Sequence, residues 1–67
     1  MSSLIKSLQK LQLQISVYDE LFPLYMEIDL LIRELNNAMI RQDLIEKAYW
    51  LIDLGEKFLL YFSEQDI

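Results

Sequence analysis

The chain has no cysteine and no histidine, and only one glycine and one proline among its 67 residues. Without cysteine, no disulfide can reinforce the thin core of so short a chain. Without either residue, a Cys/His zinc site is excluded. A nucleophilic triad needs a base, and here the choice shrinks to lysine or carboxylate. The serines form no strained elbow motif. A single glycine cannot build a phosphate-cradling loop. No stretch approaches the roughly 18 uncharged apolar residues of a membrane-spanning helix. Lys6, Gln9, Lys10, Gln12 and Gln14 interrupt the apolar run that a secretory signal would require. The lack of cysteine suits a reducing compartment, so a cytoplasmic location is expected.

Basic residues are scarce. Six Lys and Arg stand against eleven Asp and Glu, for a net charge of −5. Phosphate neutralisation needs clustered cations, so neither nucleic acid nor an anionic membrane surface is an expected partner. The charge is also uneven. Residues 1–18 hold Lys6 and Lys10 with no acid, a charge of +2. Residues 19–42 come to −3 and residues 43–67 to −4. The basic N-terminal segment therefore has acidic chain to lie against, within one molecule or between two. Asp19, Glu20, Glu27 and Asp29 are close in sequence but lack metal-loop spacing. A solvated helix face is the better account of them. No enzyme activity, metal, cofactor or small-molecule substrate is expected.

What the chain does have is apolar side chains, 54% of its residues, at helical spacing. The clearest stretch is Asp43–Phe62. Asp43 and Glu46 have capping-box spacing. Leu44, Ala48, Leu51, Gly55, Phe58 and Phe62 then recur in four-three steps, with Ile45, Ile52 and Leu59 beside them. Gly55 is either a tolerated helix glycine or a point of close approach. Upstream, Leu4, Leu8, Leu11, Ile15 and Tyr18 form a narrow seam that extends as far as Phe22, flanked by Ile5, Leu13 and Val17. Ser2 or Ser3 can cap it. Leu24, Ile28, Leu31, Ile32, Leu35, Ala38 and Met39 share a third face. Pro23 favours a break between the first two helices over one kinked helix, with Asp19 or Glu20 as cap and Pro23 in the first turn. Asp29–Arg33, Asp43–Lys47 and Asp53–Lys57 are i,i+4 pairs with the acid first.

The segment Leu35–Phe62 resembles one helix pair of a tetratricopeptide repeat through Leu35, Ala38 and Ala48. It is one residue short at the turn, has no glycine there and is not repeated, so it is not assigned to that family. In size and acidic helical character the chain is similar to small co-chaperones of type III secretion needle subunits. That likeness is one of format and implies a chaperone-like role.

The expected fold is therefore all-α: a single domain over residues 1–67, a small bundle of two or three helices near 3–18, 22–41 and 43–63, with a frayed tail from Ser63. It consists of a helical hairpin, 24–62, plus an N-terminal helix, and is open to completion by oligomerisation. The expected function is a protein–protein interaction module: an adaptor, co-chaperone or small regulator. The alternative is a structural oligomer that closes on copies of itself. The candidate contact residues are Trp50, Leu54 and Tyr61 on a second stripe of the third helix, with Tyr49 and Leu60 at its other edge, and the seam Leu4, Leu8, Leu11 and Ile15. The competing reading of the Trp50 stripe is that the first helix covers it within the same chain.

Overall fold

Leu4, Leu8, Leu11 and Ile15 repeat at four-three spacing because they line one side of a helix, α1 (Ser2–Ile15). A computed structural model describes residues 2–37 and 42–65. Two further helices follow, α2 (Phe22–Asn36) and α3 (Gln42–Gln65), and there is no strand among the described residues. A short 3-10 turn, Asp19–Leu21, leads into α2.

The break between α1 and α2 has a local cause at each end. The Ser16 N–H donates to both Gln12 O and Leu13 O, and the Ser16 hydroxyl donates to Leu13 O as well. A serine that bonds its own helix backbone competes with continuation. Tyr18 is then extended, at φ −111° and ψ 108°. Pro23 sits in the first turn of α2, where its missing N–H costs nothing. The first helix thus ends at Ile15, three residues before the expected end. The expected caps are corrected too. Asp19 and Glu20 lie within the 3-10 turn, and the residue at the N-cap of α2 is Leu21, with no side-chain cap bond. Asp43 lies inside the first turn of α3 instead of ahead of it, and Ser3 lies inside α1. The expected frayed tail is helical through Gln65. α2 ends at Asn36, ahead of the expected end at residue 41, and the expected α2 positions Ala38 and Met39, with Arg41, lie outside the described residues.

The three helices run up, down and up. The side-chain amide of Gln12 donates to Asp29 Oδ1 at 3.2 Å and to Tyr25 O at 3.5 Å, tying α1 to α2. Leu11 lies against Gly55, and the Tyr18 and Phe62 rings meet at 5.3 Å. Both pairs have the same interval along the chain, so α1 and α3 are parallel. The core is the meeting of the three stripes: Leu4, Leu8, Leu11 and Ile15 from α1; Ile28, Leu31, Ile32 and Leu35 from α2; Leu44, Ala48 and Leu51 from α3; and Leu21 from the turn. No polar side chain is buried among the described residues. The expected i,i+4 pairs Arg33–Asp29 and Lys57–Asp53 form, each at 3.1 Å. Lys57–Asp53 is exposed on both sides, whereas Arg33 is exposed and Asp29 half-buried; helix pairs of this spacing contribute about 0.3–0.5 kcal/mol each.

Candidate protein-interaction surface

α3 is the longest helix, at 24 residues, and α2 covers only part of one flank. Where α2 begins, the two helices leave an open groove with a volume of about 360 Å³. Leu21, Pro23 and Leu24 line it from the α2 side, and Leu54, Phe58 and Phe62 from α3. Glu20 and Glu27, both exposed, complete the lining. Phe58 was expected on the core stripe. It is 38% exposed, because it faces this groove and not the filled centre.

The same flank of α3 carries the expected second stripe. Trp50 is one turn before Leu54 and Tyr61 is two turns after it, so they share a side. Trp50 is 60% exposed and Tyr61 58%, while Leu54 is half-buried in the groove. The first helix therefore does not cover this stripe. Tyr61 is held edge-on to Phe62, with ring centroids 5.4 Å apart. Tyr49 and Leu60, on the opposite flank, are also exposed.

The other four candidates are placed differently. Leu4, Leu8, Leu11 and Ile15 are buried in the chain's own core. Their seam is closed by α2 and α3 of the same molecule, so in this arrangement they support the surface and do not form it.

One apolar surface escaped the sequence reading. Phe22, Met26 and Leu30 follow one another at four-residue steps on α2, and all are at least half exposed. Leu13 and Val17, seen in the sequence only as flanks of the first seam, stand out furthest, at 73% and 75%. The signal was the four-residue repeat on the side away from the core. It was masked by the stronger core pattern. Phe22 was read as the end of the first seam, but the break after Ile15 turns it out, where it stacks on Tyr25 at 6.2 Å.

Lys47 Nζ reaches Glu27 Oε2 at 3.8 Å beside the groove, between groups that are both substantially exposed. No cluster of three or more His, Cys, Asp or Glu able to hold a metal ion occurs among the described residues. No described helix is long and apolar enough to cross a membrane. In comparisons with known proteins, no protein family, no curated protein and no solved structure matches this chain.

Proposed function

We propose that this chain is a small protein-binding module, an adaptor, co-chaperone or regulator, and that it binds through the flank of α3 that carries Trp50, Leu54, Phe58 and Tyr61. The single observation that carries the reading is the exposure of Trp50 and Tyr61 beside an apolar groove. Large aromatics left in water next to a concave apolar surface are uncommon on a protein that acts alone. Trp and Tyr are also the residues most enriched where binding energy concentrates. A cytoplasmic setting fits a cysteine-free chain.

The test is the double substitution Trp50→Ala with Tyr61→Ala. Because both side chains are exposed, the variant is expected to keep its helical circular dichroism. It is expected to release a stoichiometric partner that co-purifies with the native chain, losing at least about 2 kcal/mol of binding, or some thirtyfold in affinity. A partner retained at unchanged affinity overturns the assignment of this surface.

The second reading, a self-assembling oligomer, is favoured by one observation: the exposed Leu13 and Val17, on α1 and its turn, lie beside Lys6 and Lys10, whose charge is opposite to that of Glu20 and Glu27 at the groove.

A further inference from the structure

We propose that the groove between α2 and α3 accepts a second copy of this chain, through the outer face of its α1. The proposal rests on the reading of that groove as an interaction surface, and it names an occupant.

The outer face of α1 is a seam of its own. Lys6, Lys10 and Leu13 follow each other in four- and three-residue steps, on the side away from the buried Leu8 and Leu11, and Val17 follows in the turn. The four positions share one side of the helix and its turn, with the two charges at one end and the two apolar residues at the other. Leu13 and Val17 are the most exposed large apolar residues described. Lys6 and Lys10 are exposed and take part in no ion pair among the described residues. α1 carries no acid of its own, and Glu56 of α3, which lines a shallow pocket with Lys10, makes no ion pair with it.

The groove offers the complement. Its apolar floor includes Leu54 and Phe58, and Glu20 and Glu27 bring negative charge to it. Glu20 has no ion pair among the described residues, and Glu27 has only the long contact to Lys47. From Trp50 to Tyr61 the stripe runs about 16 Å at 1.5 Å per residue, enough for the two turns from Lys6 to Leu13. A short amphipathic helix laid in such a groove is a recurring mode of recognition. One molecule therefore carries both halves of one contact, with opposite charge. The basic segment 1–18, at +2, faces a remainder at −7, which also steers the encounter.

The two halves lie on different sides of the bundle, so the contact is head-to-tail and does not pair a patch with itself. Such contacts add copies one after another or close into a ring.

Sedimentation of the purified full chain, with the emission of Trp50 as a second readout, tests this. Trp50 is the only tryptophan. At low salt the average mass is expected to rise with concentration while the emission shifts to the blue. Both are expected to fall back in about 1 M salt, where the Debye length shrinks to ~3 Å. Lys6→Glu with Lys10→Glu, and separately Glu20→Lys with Glu27→Lys, are each expected to stay monomeric and helical. An equimolar mixture of the two variants regains opposite charges across the contact and is expected to associate again. A monomer under all conditions overturns the proposal, and so does an association indifferent to salt and to both variants. Failure of the mixture to recover overturns it too, because the charges then act elsewhere. The wider reading fails separately: a monomeric chain whose partner still depends on Trp50 and Tyr61 loses only the self-docking.

Discussion

At Gly55 the bundle depends on a missing methyl group. A Cβ there would fall 2.6 Å and 2.9 Å from the two methyls of Leu11, and 3.1 Å from its Cγ. Turning Leu11 about its Cβ–Cγ bond moves the methyls but leaves the Cγ contact, and moving Cγ as well is resisted because Leu11 is itself buried. Gly55→Ala therefore sets overpacking, about 1–3 kcal/mol, against a gain in helix propensity of about 1 kcal/mol. The expected net is a loss of up to about 2 kcal/mol. Leu11→Ala alone is expected to cost about 2–5 kcal/mol. In that background the obstruction is gone, and Gly55→Ala should become stabilising by up to about 1 kcal/mol. Urea titrations of the four proteins in a double-mutant cycle check the reversal of sign. A loss of the same size in both backgrounds would show that Leu11 is not the neighbour that matters. The sequence left Gly55 open between a tolerated glycine and a close approach. Its place on the stripe was readable. The identity of its neighbour was not, since that depends on α1 and α3 running parallel.

Among the elements, the link from α1 to α2 is where local pattern and fold diverge. The four-three spacing of the first seam continues through Tyr18 to Phe22, so periodicity alone runs the helix on. The structure ends it at Ile15 and uses the next residues otherwise. Tyr18 swings to Phe62, and Leu21 becomes core at 4% exposure, a burial that no spacing rule marks. The Tyr18 N–H to Ile15 O and Leu21 N–H to Tyr18 O bonds hold the turn, both at 3.0 Å. Since these contacts fix the reversal, Pro23 is not its only cause. Pro23→Ala is expected to leave the helix content unchanged and to cost roughly 0.4–1 kcal/mol, chiefly through a freer unfolded chain. Chemical denaturation followed by circular dichroism measures both quantities. A gain of about a turn and a half of helix, six residues at 3.6 per turn, would mean that the proline alone prevents fusion of α1 and α2. The three core stripes were legible because burial repeats with the helical period. The exposed ridge Phe22, Met26 and Leu30 repeats too, but a sequence does not say which of two apolar faces the other helices will choose.

The molecule as a whole is long and thin, 43 × 17 × 16 Å, with a radius of gyration of 12.2 Å. A chain of this length packed as an average domain would have a radius near 11 Å. Its accessible surface is 4899 Å². A monomer of its mass is expected to expose about 4,500 Å². The surplus is the consequence of a three-helix rod in which α3 outruns both neighbours. A rod has little interior for its apolar residues, and the side chains left over become the exposed apolar surfaces described above. Stability and association are then linked quantities. If a second copy covers part of α3 only in the folded state, folding is favoured by mass action, by about 2.7 kcal/mol at a concentration a hundredfold above the dissociation constant. For a domain of this size each kcal/mol raises the melting temperature by about 4–8 °C. The melting temperature is therefore expected to climb by roughly 10–20 °C between dilute and concentrated samples at low salt. The Lys6→Glu, Lys10→Glu variant keeps every core residue and loses the complementary charge. Its melting temperature should be the same at all concentrations and equal to that of dilute native protein. Calorimetry across a dilution series of both chains decides the matter. A native melting temperature that stays constant with dilution would mean that the eight leucines, three isoleucines and Ala48 in the core of one bundle supply the chain's stability without a second copy.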